Sequence, residues 1–230
     1  IIFEDVLSLL SKLNDTALEH LVLVGGQALA FWADYYDLEE LPTGMPLMSK
    51  DIDFLGDAQV ADHCAKVWRG QLYIPHPFEA TPNTAKVVVP LPHGETLTID
   101  FLSYVFGLGE PEKSLAKVQV QATQVKFAVL TPLFCLKSRL ENLFGLGYGV
   151  HRLGQEASKL QAAIIIQYRH LLDLLQTGQA RLALKETHLL LHWAKQDRGV
   201  RACTEYGIDL LEAVPRNHSG YGEQFWKLDY

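Results

Sequence analysis

The hexapeptide Ser49-Lys50-Asp51-Ile52-Asp53-Phe54 limits what this chain can fold into more than any other stretch. Ile52 and Phe54 favour a strand, and a strand turns successive side chains to opposite faces. Asp51 and Asp53 therefore share one face, while Ile52 and Phe54 share a face that must be buried. Two carboxylates this close repel one another. Either the face is a solvated edge, or a cation offsets the repulsion. Oxygen donors in a short array suit a hard divalent ion such as Mg²⁺ or Mn²⁺.

The stretches on either side follow the same logic. Phe3, Val6, Leu7, Leu10 and Leu13 recur at helical spacing until Asn14-Asp15 breaks the pattern. Leu21-Val22-Leu23-Val24 is a wholly apolar run, as expected of a strand buried on both faces. Gly25-Gly26 ends it, and helical character resumes at Gln27. Strand, double glycine, helix lets a backbone approach an anion closely, although the same sequence also serves a plain tight turn. It is not a Walker loop, because no Gly-Lys-Ser/Thr follows, and the third glycine of a dinucleotide fingerprint is missing.

Residues 34–48 are acidic and then rich in Pro and Gly, which predicts a loop. A helix is predicted over 57–69 and strands at 72–74, 86–89 and 97–102, with a turn at Pro92-His93-Gly94-Glu95. Asp100 interrupts the last of these strands. A buried carboxylate without a partner is expensive. Asp100 therefore either faces water or acts beside Asp51 and Asp53 as a third metal ligand or a general base. Residues 118–121 and 125–129 alternate as a hairpin turning at Ala122-Thr123.

The back half reads as helical. Thr131-Pro132 opens a helix carrying Leu133, Leu136, Leu140, Leu143 and Phe144, with Lys137 at the edge of the stripe. Residues 145–154 are glycine-rich and predict an interhelical loop. Helices are expected over 156–175, 181–195 and 200–214, then an aromatic tail. His188 and His192 share a helix face, but no third ligand accompanies them as a zinc site requires.

Taken in order, these motifs resemble the nucleotidyltransferase superfamily. More narrowly, Gly25-Gly26-Gln27-Ala28-Leu29 with Lys50-Asp51-Ile52-Asp53-Phe54 is similar to the AbiEii-like and MenT-like toxin nucleotidyltransferases. The resemblance implies an α+β fold: a mixed sheet flanked by helices over residues 1–130, then a helical region over 131–230 that closes on the nucleotide cleft. It implies transfer of a nucleotidyl group from a nucleoside triphosphate to an RNA or protein acceptor, in the role of the toxin partnered by an antitoxin protein. Asp51, Asp53 and Asp100 would hold Mg²⁺ or Mn²⁺. Gly25, Gly26, Ser49 and Lys50 would contact the nucleotide, and Lys137 and Lys159 would face its phosphates. For Lys50 the other reading is a charge partner of Asp51, and for Lys137 a surface lysine paired with Glu141.

Three departures stand against this. Gln27 occupies a place where Ser or Thr is common, the loop from Asp34 to Met48 is longer than a minimal member of the family needs, and Lys159 lacks the acid that follows it in the family. Gln27 and the missing acid keep open an alternative, a catalytically inactive module of the same fold that binds a nucleotide or a protein.

Charge fits either version. The net formal charge is −7, which argues against a general nucleic-acid binder, yet the excess is confined to the front half. Residues 1–120 carry 7 Lys and Arg against 17 Asp and Glu, and residues 121–230 carry 13 against 10. The three cysteines are far apart and form no disulfide or zinc framework. No apolar run is long enough for a membrane span, and Ile1-Ile2-Phe3-Glu4-Asp5 has no basic leader. A cytoplasmic protein is expected, with the start at Ile1 reading as a truncated or processed end.

Overall fold

A computed structural model describes residues 3–38, 51–91, 95–109, 117–147 and 150–221. The chain is α+β and divides into two compact units. The first comprises Ile1–Tyr35 with Met45–Cys135, and the second Tyr36–Gly44 with Leu136–Tyr230.

The first unit is built on one mixed sheet. Its strands are β1 (Val22–Val24), β2 (Asp51–Leu55), β3 (Gln71–Tyr73), β4 (Asn83–Pro90), β5 (Thr96–Leu102), β6 (Lys117–Ala122) and β7 (Val125–Leu130). They lie in the order β3-β4-β5-β2-β1-β7-β6. β1 runs antiparallel to β2 and parallel to β7, and β2 runs parallel to β5. A parallel neighbour needs a long crossover. The β2–β5 crossover contains helix α4 (Ala58–Trp68), whose N-cap Asp57 accepts a bond from the Val60 amide at 2.8 Å.

The pleat sorts the side chains by parity. Ile52 and Phe54 on β2, Leu97, Ile99 and Phe101 on β5, and Ala85, Val87 and Val89 on β4 are all buried. Trp68 of α4 packs beside Phe54 and Phe101, with ring centroids 6.5 and 6.3 Å away, and its indole N–H donates to the Leu9 carbonyl. Asp51, Asp53 and Asp100 fall on the other parity and are half-buried or exposed. The remaining helices of this unit are α1 (Phe3–Leu10), α2 (Asp15–Glu19) and α3 (Gly25–Tyr35). Phe31 of α3 packs against Phe3 and Phe127.

The second unit is helical. It contains α5 (Pro132–Gly145) from Leu136 onward, α6 (Val150–Gln176), α7 (Ala180–Ala194) and α8 (Asp197–Tyr206). Among the described residues, no helix is long and apolar enough to cross a membrane. Three boundaries differ from the sequence expectation. α1 stops at Leu10, short of Asn14, and Asn14 instead caps α2, which periodicity missed. α6 begins at Val150, inside the stretch read as a glycine-rich loop. The helix expected over 200–214 ends at Tyr206, because Gly207 adopts φ +66° and closes it, and only a 3₁₀ turn (Leu210–Ala213) follows.

Candidate functional site

The site is assembled by strand register. Asp53 is the direct partner of Asp100 across the parallel β2–β5 pair, and Val24 is the partner of Asp53 across β1–β2. Asp51 lies one pleat along β2 on the Asp53 face. β1 ends at Val24 and α3 starts at Gly25, so the glycine bend abuts this strip of carboxylates.

The approach at the bend is close. Gly25 has φ +68°, and a Cβ there would overlap Asp53 Oδ2 and lie 2.9 Å from its Cγ. Only glycine allows both the left-handed turn and the packing against Asp53. Gly26 follows as the second residue of α3, whose first amides lack intrahelical acceptors and carry the positive end of the helix dipole.

Asp100 sits in a built environment. Asn83 Nδ2 donates to its Oδ1 at 3.0 Å, and Lys86 Nζ lies 3.5 Å from the same oxygen. Burial pushes the Asp100 carboxyl above the ordinary carboxylate range, Lys86 opposes the shift, and the negative charge of Asp51 adds to it. Lys86 is 44% exposed, so solvent screens its attraction and burial wins.

Asn83 and Lys86 were absent from the sequence-derived site. Lys86 could have been found by counting back from the turn. Pro90 pairs with Thr96 across the β4–β5 hairpin, and the same count sets Lys86 against Asp100. Asn83 could not, because a register shift between Asn83 and Ala85 intervenes.

The donors fit a hard divalent cation in kind: three carboxylates on adjacent strands, with a cradle at Gly25 that a side chain would fill. As placed they form a strip and do not enclose an ion. No three His, Cys, Asp or Glu among the described residues converge to hold one.

The other expected residues stand as follows. Ser49 and Lys50 lie outside the described residues. Lys137 and Lys159 belong to the second unit. Lys137 Nζ stands 5.3 Å from the Trp193 ring centroid, a cation–π contact, and Glu141 pairs with Arg198 rather than with Lys137. Lys159 Nζ lies 2.7 Å from Glu156, which also accepts from Arg139 at 3.4 Å. Lys159 therefore has an acid three residues before it in place of the one missing after it.

No protein-family model matches the chain, and no curated protein matches it. Four chains of solved structures do. One is an antigenic nucleotidyltransferase-like protein from Paracoccidioides brasiliensis, at 13% identity and a TM-score of 0.42, covering 72% of this chain and 84% of that one.

The Asp100 environment carries a first prediction. Its folded pKa is raised, so the native state holds this proton more tightly than the unfolded chain does. The stability it contributes is present below the ordinary carboxylate range and is lost as pH rises through the folded value. Asp100→Asn removes the buried charge and keeps the shape. Without divalent cation, the variant should melt about 1–4 °C above wild type at neutral pH, with the gap closing in acid. Melting curves across that pH range measure it; a variant less stable than wild type at neutral pH would mean that the Lys86 and Asn83 contacts outweigh the burial.

Proposed function

We propose that the chain is a metal-dependent nucleotidyltransferase, moving a nucleotidyl group from a nucleoside triphosphate to an acceptor hydroxyl on RNA or protein. The observation that carries this reading is the register of Asp53 with Asp100, with Asp51 on the same face and the Gly25 bend packed against Asp53. A fold alone would not assign a reaction.

In this reading Asp51, Asp53 and Asp100 hold Mg²⁺ or Mn²⁺, which when bound neutralises phosphate charge and lowers the acceptor's pKa. The amides opening α3 at Gly25 and Gly26 receive phosphate oxygens. Ser49 and Lys50, directly before the first carboxylate, add donors to the same phosphates. Asp100, in register with Asp53, would complete the set and help activate the acceptor hydroxyl. Lys137 and Lys159 remain candidates for phosphate contact. The AbiEii-like and MenT-like resemblance extends the reading to a toxin held by an antitoxin, which a partner gene beside this one would support.

The inactive nucleotide- or partner-binding module is the competing reading. Two observations favour it: Asn83 and Lys86 engage Asp100, and the described carboxylates do not enclose an ion. Thermal shift with each nucleoside triphosphate, with and without Mg²⁺ or Mn²⁺, separates the two. Ligand at a hundredfold excess over Kd stabilises by about 2.7 kcal/mol, hence a rise of about 5–10 °C for a chain of this size. The enzyme reading expects that rise to require metal and to vanish in Asp51→Ala and Asp53→Ala. A nucleotide shift indifferent to metal and to both variants would leave only the binding module.

A further inference from the structure

The register that joins Asp53 to Asp100 runs on across two more strands. Lys86 on β4 is the partner of Asp100, and Tyr73 on β3 is the partner of Lys86. Asp53, Asp100, Lys86 and Tyr73 therefore form one line across four adjacent strands, with the Gly25 bend packed on its first member. All four turn to one face. Lys86 Nζ reaches Asp100 Oδ1 at 3.5 Å, while its chain neighbours Ala85 and Val87 are buried on the other side. Leu72 pairs with Val87, so Tyr73 turns to the side of Lys86. A second line, Asp51, Thr98, Val88 and Gln71, lies one pleat along the same face. Both lines end on β3 in exposed residues, Tyr73 at 46%.

The outer end of this face has a chemistry of its own. The connection that leaves β3 carries Phe78, 91% exposed, with its ring centroid 5.3 Å from that of His76. Aromatic faces beside a lysine suit a single nucleic-acid strand, whose bases stack on the rings while the cation meets a phosphate. Charge limits how much strand can bind. Residues 1–120 carry 17 Asp and Glu against 7 Lys and Arg, which repels a long phosphate tract and favours a short end. Adjacent strands lie about 4.8 Å apart, so Tyr73 stands about 10 Å from Asp100 along the line. That is the reach of one nucleoside from its 3′ oxygen to its base.

We propose that Tyr73 is the base-stacking platform for the acceptor, and that the acceptor is the 3′ end of a single-stranded RNA. The proposal rests on the nucleotidyl-transfer reading, which seats the triphosphate at the Gly25 bend. Displacement at phosphorus is in line, so the attacking oxygen enters opposite the leaving pyrophosphate. With the phosphates at the bend, the open side of the carboxylates is the side of Lys86 and Tyr73. The terminal base stacks on Tyr73 and Lys86 meets the last phosphodiester. The 3′ oxygen bonds to the α-phosphorus, the bond from that phosphorus to its bridging oxygen breaks, and pyrophosphate leaves with the electron pair. The hydroxyl proton passes to solvent.

Two measurements on the full chain test it. The first is fluorescence anisotropy of a short 5′-labelled single-stranded RNA with Mg²⁺ and no triphosphate. Tyr73→Leu, which keeps apolar bulk without a ring, should weaken binding about 10-fold or more, and Tyr73→Phe should keep most of the affinity. Lys86→Met should make the slope of log affinity against log salt shallower by about 0.7, one phosphate contact, and Tyr73→Leu should leave that slope alone. An affinity indifferent to Tyr73→Leu, or no binding of this RNA, overturns the platform.

The second measurement offers the RNA and the protein of a nuclease-treated extract together to each labelled triphosphate. Label is expected on the RNA, absent when its end is 3′-deoxy and reduced when that end is base-paired. Tyr73→Leu should raise KM for the RNA about 10-fold or more and not KM for the triphosphate. Label on protein alone overturns the RNA acceptor and leaves the transferase reading standing. No label on either, with no metal-dependent stabilisation by nucleotide, overturns both.

Discussion

Gly25→Ala should abolish nucleotide transfer while leaving most of the chain folded. The substitution has two costs. Alanine at φ +68° enters the left-handed region, at about 1–2 kcal/mol. Its Cβ also overlaps the Asp53 carboxylate and sits 3.0 Å from Asp53 Cβ, so that side chain must rotate away. The first cost lowers stability, by about 3–10 °C in Tm once strain around Asp53 is added. The second removes one carboxylate from the strip, and misplacing a group by about 1 Å can cost about 100-fold in rate. Transfer and metal-dependent thermal shift should therefore fall together, by at least about 100-fold in rate, against a modest loss of Tm. Asp53→Asn supplies the comparison: it should lose the same activity without the backbone strain. Full transfer by Gly25→Ala would show that the contact between bend and carboxylate is not part of the machinery.

That contact shows how far the sequence could be read. Alternation alone sorted β2 correctly, with Ile52 and Phe54 buried and both acids on the other face. The reason is physical: a one-residue slip would bury the acids and expose the apolar pair. An interrupted apolar run marked Asp100, and the structure sets it in register with Asp53. The environment of Asp100 was less legible, because it comes from a third strand. The expected strand 86–89 is β4 over Asn83–Pro90, and its first residues lie beyond prolines that read as irregular. The register shift there brings in Asn83, and no local propensity encodes such a shift.

In the second unit the failures have a common origin. Val200 to Val214 keeps an apolar pattern past Gly207, although that glycine is itself a helix stop signal. Ile208, Leu210, Ala213 and Val214 are indeed buried, as that pattern requires, but from a turn and a 3₁₀ segment. Burial periodicity reports which residues face the core and not which backbone carries them. Tyr36 shows the same limit from the other side: its hydroxyl lies 2.9 Å from His170 Nδ1, 134 residues away, and only tertiary packing brings the pair together.

Gly199→Ala should be the most destabilising single-methyl change in the second unit. Propensity predicts the opposite, because alanine in a helix interior is favoured over glycine by about 1 kcal/mol. Gly199 lies in the first turn of α8, where the chain has just turned out of α7 through Lys195 and Gln196. A Cβ there would overlap the Trp193 carbonyl oxygen and lie 2.7 Å from Ala194 Cα and 2.9 Å from its carbonyl carbon. All three are backbone atoms, so no rotamer change relieves the clash and the two helices must separate. That carbonyl also accepts the Gln196 amide at 3.1 Å, so the turn itself would be disturbed. Overpacking costs about 1–3 kcal/mol where side chains can adjust, and more where they cannot. A net loss of about 2–4 kcal/mol, or about 4–16 °C in Tm, is expected after the propensity gain is subtracted. Val200→Ala is the control: Val200 is 47% exposed, and its truncation should stay within about 0.5 kcal/mol. The reverse order, with Gly199→Ala raising Tm as propensity alone would have it, would mean that α7 and α8 do not approach as closely as the Trp193 carbonyl and Gly199 require.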